Sequence, residues 1–249
     1  MHNRAMRFAL KRGPERLTVE IGGRALPVAV VRNRRARRLI LRIDDATGLP
    51  VVTLPTRTSL AQGERFLNGQ LAWIEARLAR RAPSAPFRSG GVFPLRGTPC
   101  RIEHRDGRGV VSLALEGEGS LVSIPGAEEF LARRLLDWLK REARHDIESA
   151  VAQYAGALAK SPKSIRVGDA KSRWGSCSAS GVLTFSWRLV LAPPHVLDYL
   201  AAHEAAHLAE MNHSSKFWAL VERLYPEHRK ARAWLRAHGA KLHAIGRAA

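Results

Sequence analysis

The chain has 249 residues, 45% of them hydrophobic, with 41 Lys and Arg against 22 Asp and Glu and a formal net charge of +19. That length and apolar content suit a globular protein of one large or two small domains. Two cysteines, Cys100 and Cys177, exclude a disulfide framework, and the lack of an apolar leader core or an 18-residue apolar run excludes a membrane partner, so a cytoplasmic protein is expected.

Residues 1–125 are expected to form a basic, β-rich N-terminal region. RLTVEIG, ALPVAVVRN, RLILRID and LPVVTLP are short β-prone runs separated by Gly23, the arginines from Arg34 to Arg37, and Gly48, which predicts a small antiparallel sheet. One helix over 59–81 follows, opened by a capping box of Ser59 and Gln62 and carrying Leu60, Leu67, Leu71, Ile74 and Leu78 on one stripe, with Trp73 packed beside them. RAPSAPFRSGG reads as a linker or long loop. VFPLRG, CRIEHR, VVSLALEG and SLVSIPG then predict further hairpins, and no internal repeat is apparent.

The positive charge is concentrated at this end, residues 1–90 holding 18 Lys/Arg against 6 Asp/Glu and the remainder 23 against 16. Its densest part, Arg32, Arg34, Arg35, Arg37, Arg38 and Arg42, is either a solvated basic strand and turn or a surface for a nucleic acid, a nucleotide or another anionic substrate. Aromatic residues are missing there, which argues against base stacking.

The second region, 126–245, opens with a long scaffold helix from Ala127 to about Leu158, its apolar residues Leu131, Leu135, Trp138, Ile147, Val151 and Tyr154 recurring at helical spacing up to Pro162. SIRVG, SRWGSC and VLTFSWRLVL are strand-like, and after Pro193 and Pro194 a helix carries HEAAH, His203 to His207. Two histidines four apart share one helix face and can converge on one ion. Glu204, one step round, is placed to take a proton from a water that the metal activates. Three protein ligands would leave the open position of a catalytic zinc. The third is either His213, ten residues after His203, or a glutamate, Glu227 or Glu222. Asn212 in a left-handed turn and Ser214 as N-cap of SKFWALVERLY would return His213 beneath the HEAAH helix. The last helix, EHRKARAWLRAHG, is expected to stop at Gly239, with Arg236 and His238 at its C-terminal dipole.

RWGSC (Arg173 to Cys177), WRLVLAP (Trp187 to Pro193), YLAAHEAAHL (Tyr199 to Leu208) and MNHSSKFW (Met211 to Trp218) together resemble the YgjP-like metallopeptidases, a zincin family related to SprT-like and WLM-like proteases. RNRRARRLILRI and WIEARLAR extend the likeness toward the N-terminus, and Ser186 departs from it where similar chains often carry Asn. The resemblance implies an α+β fold with a zincin-like core over 126–245, Zn2+ held by His203, His207 and His213, and Glu204 as catalytic base. Arg173, Trp174, Gly175 and Ser176 are read as a substrate-binding edge strand, where a glycine allows close approach of a peptide. Cys177 is read as an inert thiol in preference to a metal ligand, and Tyr199 as either an oxyanion contact or packing.

The function expected is a zinc-dependent metallopeptidase acting on a peptide or protein substrate. Two alternatives stand beside it: a metal-dependent hydrolase of a phosphate-containing substrate or of nucleic-acid-bound proteins, and a non-catalytic binding protein stabilised by zinc.

Overall fold

A computed structural model describes residues 15–44, 47–79, 85–170 and 173–247. The basic first residues, the end of the expected first helix and the start of the expected linker, residues 81–84, lie outside these. The fold is α+β, in two compact units, Met1–Arg81 and Ala82–Ala249. Among the described residues, no helix is long and apolar enough to cross a membrane.

In the first unit β1 (Arg16–Ile21) and β2 (Arg24–Asn33) form a hairpin through Gly22 and Gly23, followed by β3 (Ile40–Ile43) and β4 (Pro50–Pro55). The sheet order is β1-β2-β4-β3. β2 and β4 pair in parallel, so the sheet is mixed and not the antiparallel one expected. A parallel pair needs a crossover, and here the short strand β3 lies within it, a long-range choice that local strand signals do not encode.

The predicted capping box is present: Ser59 Oγ accepts from the Gln62 amide at 3.2 Å while Gln62 Oε1 accepts from the Ser59 amide at 2.8 Å. The single helix expected is two, α1 (Leu60–Asn68) and α2 (Leu71–Ala79), because Gly69 caps the first. That break redirects the stripe. Leu67 and Ile74 are fully buried with Val19, Val28, Val52 and Leu54, but Trp73 is 42% exposed and does not join them.

In the second unit β5 (Val92–Leu95), β6 (Thr98–Arg105), β7 (Ser112–Glu116) and β8 (Gly119–Pro125) take the order β5-β6-β8-β7, with antiparallel, parallel and antiparallel pairings in turn. This repeats the arrangement of the first sheet, a topological repeat that no sequence periodicity announces. The boundary between the units lies at Arg81/Ala82 and not near residue 125. The physical reason is the core: Phe93, Leu95, Cys100, Ile102, Val122 and Ile124 are buried in one cluster with the long helix α3 (Leu131–Gly156).

A three-stranded sheet of order β10-β11-β9 follows, from β9 (Ser164–Gly168), β10 (Gly175–Cys177) and β11 (Val182–Ser186). The strand expected through WRLVL is instead a 3-10 turn, Trp187–Leu191, with Ser186 as its N-cap accepting from the Arg188 amide. α4 (Pro194–Ala206) starts on Pro194, whose fixed φ suits the first helical position. Val196, Leu197, Leu200, Ala201, Ala202, Ala205 and Ala206 are all buried on it, so it is a central helix, packed against α3. α5 (Ser215–Leu224) and α6 (His228–Ala244) complete the unit. α6 does not stop at Gly239. The glycine is buried mid-helix because a Cβ there would lie 3.1 Å from Trp174 Cζ2, so the indole of the β10 approach packs into the groove it leaves.

Candidate metal centre

His203 lies in the last turn of α4 and His207 caps it in helical geometry, φ −66° and ψ −17°, so the two imidazoles sit on one face with centroids 5.1 Å apart. The chain then tightens through amide bonds from Leu208 to Ala205, Ala209 to Ala206 and Glu210 to Ala206. Asn212 is not left-handed; among the described non-glycine residues only Arg96 and Ala159 have positive φ. The return is instead secured by Ser214, which starts α5 by accepting from the Phe217 amide at 3.4 Å.

His213 thereby comes back to the helix, its Nε2 3.2 Å from His203 Nε2. Among the described residues, His203, His207 and His213 are the one group that could hold a metal ion, their ligand atoms all within 4.8 Å of one another. Glu222 and Glu227 are elsewhere: Glu222 accepts from His228 Nε2 at 2.5 Å, and Glu227 is paired with Lys230.

The donor set suits a divalent ion. Tetrahedral bonds of about 2.0–2.1 Å to imidazole nitrogen separate two donors by about 3.3 Å, close to the His203–His213 spacing. His207 Nδ1 donates to the Glu210 carbonyl at 3.0 Å, which leaves Nε2 unprotonated as an electron-pair donor. Tyr199, on the preceding turn, places its hydroxyl 3.5 Å from His203 Nδ1. Burial, then the neighbouring imidazoles of His207 and His213, push His203 down to about 3, keeping it neutral. Phe217 stacks on His207 at 4.4 Å and Trp218 on His213 at 5.9 Å, so the first turn of α5 fixes two of the three rings.

Glu204 is only 4% exposed, and its Oε2 has no hydrogen-bond partner. Burial pushes its carboxyl up to about 8, with the charge of Arg173 opposing. A lone buried carboxyl without a partner is a costly arrangement that a cation at the neighbouring imidazoles would relieve, drawing the carboxyl back down. Gly175 makes the approach possible, since a Cβ there would stand 2.8 Å from Glu204 Cδ.

Of the four residues read as a substrate strand, Trp174 and Gly175 line a cleft of about 230 Å³ with Tyr199, His203, Glu204, Arg232 and Arg236. Arg173 and Ser176 are not in its wall. Gly175 and Ser176 lie in β10, whose one sheet partner among the described residues is β11, and the Trp174 carbonyl extends that pairing by accepting from the Ser186 amide at 2.9 Å. Trp174 is also packed, its ring lying against that of His243 in a tilted arrangement with centroids 4.4 Å apart. Cys177 is outside the histidine group, and burial, then the charge of Glu204, push its thiol up, away from a reactive thiolate. Sequence reasoning passed over Arg232 and Leu235 of α6 and read Arg236 as a helix-end charge, whereas the helix runs on to Ala244. Their spacing of three and four residues marked one face, but nothing local marked which neighbour that face would meet.

A larger cavity of about 280 Å³ lies between α3 and the start of α4. Its main cation is already paired, Arg96 bonding Asp146 twice at 2.8 Å and Glu142 at 2.9 Å.

A family model described as YgjP-like, metallopeptidase domain matches residues 37–238. The site therefore sits in a protein of the metal-dependent peptidase class. The chain belongs to the YgjP-like metallopeptidase family, which implies a divalent metal. No curated protein matches it.

Proposed function

We propose that this chain is a zinc-dependent peptidase in which His203, His207 and His213 hold the metal and Glu204 is the general base. The observation that carries the proposal is the buried, unpartnered Glu204 carboxylate beside three convergent imidazoles. Three nitrogen donors suit a borderline-soft ion, and one tetrahedral position is left for solvent or substrate. When bound, the metal supplies a Lewis acid that polarises the scissile carbonyl and acidifies the attacking water.

The chain's own groups do the rest. Glu204 Oε2 accepts a proton from the water and delivers it to the departing amine, one carboxylate serving both steps. An extended peptide adds to the free edge of β10 by main-chain hydrogen bonds, with Gly175 admitting it close to Glu204 and Trp174 forming one wall. Ser176 lies within that strand and Arg173 just before it.

Glu204→Gln should retain bound zinc, measured by elemental analysis, while hydrolysis of a peptide library falls by roughly 10²–10⁴-fold. Full activity in that variant would remove the assignment of the base. His213→Ala should reduce zinc content as well as turnover.

A second, separate role is supported by the first unit. Arg34, Arg35, Arg37 and Arg38 are all exposed, and none forms an ion pair with a described carboxylate. We propose that this loop receives a nucleic acid through its phosphates. Affinity for mixed-sequence RNA or DNA should fall steeply between about 50 and 200 mM salt and weaken in Arg35→Gln/Arg37→Gln. Salt-independent binding, or none, would exclude it.

A further inference from the structure

Beside Trp174 and Gly175, the cleft is walled by one face of α6, carrying Arg232, Leu235 and Arg236. Arg232 and Arg236 are a turn apart, so both guanidinium groups project from the same side of the helix. Arg232 is held in place, its guanidinium carbon 4.6 Å from the centre of the Trp218 ring, and Trp218 in turn stacks on His213. Arg236 forms no ion pair with a described carboxylate and is exposed. Glu204 is the one acidic residue lining the cleft.

Three features of this arrangement point the same way. Two cations one helical turn apart line one small cleft, a like-charge pairing that is unfavourable without an anion. Among the described residues, no acidic side chain other than the buried Glu204 lines the cleft to offset them. The helix bearing them is clamped by the Trp174 indole over Gly239, so the pair is presented at a fixed distance from the strand edge. Two guanidinium groups on one wall of a cleft, both open to solvent, are matched by an anion able to accept two parallel hydrogen bonds, as a carboxylate does.

We propose that Arg232 and Arg236 are specificity-determining residues that select substrates presenting a carboxylate next to the bond to be cut. This rests on the peptidase reading above and names its substrate class. The carboxylate can come from an Asp or Glu side chain within the chain or from the C-terminus of a peptide. The two sources define an internal and a C-terminal mode of cleavage. Leu235, between the arginines, supplies an apolar surface for the aliphatic part of the same residue.

Two peptide sets separate the sources. In one, with both ends blocked, Asp or Glu and their isosteres Asn or Gln are moved through the positions flanking a common cleavage site. In the other, uncharged peptides carry either a free or an amidated C-terminus. Cleavage by the zinc-loaded protein is mapped by mass spectrometry, and equilibrium binding to Glu204→Gln is followed by fluorescence anisotropy, which needs no turnover.

A carboxylate should improve binding and kcat/KM by roughly 10-fold or more over its neutral isostere, the scale of a charge-assisted hydrogen bond. Arg236→Gln should erase most of that preference, and Arg236→Glu should turn it toward Lys-containing peptides with zinc content unchanged. Arg236 is the primary test because Arg232 also supports Trp218.

Preference confined to the blocked Asp/Glu peptides, or confined to free C-termini, supports the proposal and identifies the source. Equal binding and cleavage of charged and neutral peptides would overturn it, as would a preference that survives Arg236→Glu. Arg236-dependent binding of carboxylate peptides without any cleavage would leave this inference standing and remove the peptidase reading instead.

Discussion

The two four-stranded sheets share strand order and pairing sense, yet they are used differently. The first closes its own small core under α1 and α2, whereas the second contributes its buried face to the large core around α3 and α4. Their opening hairpins show the contrast most directly. A Cβ at Gly22 or Gly23 would meet nothing within 4 Å, so that turn is free. The matching turn, Arg96–Gly97, is docked: Arg96 and Gly97 donate their amides to the Val190 and Leu191 carbonyls at 2.7 and 3.3 Å, and Arg96 is anchored to α3. Gly97 lies against Pro193, immediately before α4. The same local topology is thus a self-contained module in one unit and, in the other, a brace for the helix that carries HEAAH.

The largest test of this contrast is metal removal. A ligand that binds only the folded form stabilises by about 4 kcal/mol when present at about 1,000 times its Kd. Calorimetry with and without chelator should therefore move the unfolding transition of the second unit and leave that of the first in place. His203→Ala should remove the metal-dependent shift. Equal displacement of both transitions would mean that the two units do not unfold as separate cores.

The turn glycines give the next largest difference. Gly23→Ala, at φ +73°, adds only backbone strain, about 1 kcal/mol. Gly97→Ala, at φ +82°, adds that strain and also a Cβ 2.9 Å from Pro193 Cγ and 3.0 Å from its Cα. The combined cost should be about 3 kcal/mol, read as a lower denaturant midpoint of the second unit. Comparable losses in both variants would deny the bracing role. Gly175→Ala, in contrast, should act mainly on turnover. Displacing the Glu204 carboxylate by about 1 Å is expected to lower kcat/KM about 100-fold, with metal content retained.

Legibility in the sequence follows the range of the interactions. HEAAH, the capping box and the long scaffold helix are written in spacings of three and four residues, and a helix preserves such spacings whatever surrounds it. The return of His213 was partly legible because Ser214 is a strong helix start, although the turn itself is made without a left-handed Asn212. Trp73 and Gly239 misled for one reason: the first looked like core and the second like a stop, and each is decided by what a neighbouring element brings to it. The parallel pairings β2–β4 and β6–β8, and with them the repeated sheet, are likewise set by contacts far apart in the chain. The arginine face of α6 belongs to the same group, since its partner strand lies more than fifty residues upstream.

The smallest expected effect isolates the first unit by pH. Asp44 follows β3 and accepts from the Thr47 amide at 3.0 Å, from Arg42 at 3.0 Å and from the Thr47 hydroxyl at 3.1 Å. These bonds, the Thr47 amide foremost and Arg42 next, hold its carboxyl down from 3.8 to about 2. The ionised form is therefore favoured more in the folded chain than in the unfolded one. Its contribution is fully present above the unfolded value and fades as pH falls through that value toward about 2. Asp44→Asn removes the titration, so the variant should be less stable than the parent near neutral pH and converge on it in acid. Because the group is held by its own turn and not by the core, the convergence should appear only in the first unit's transition, with the second unit's acid response unchanged.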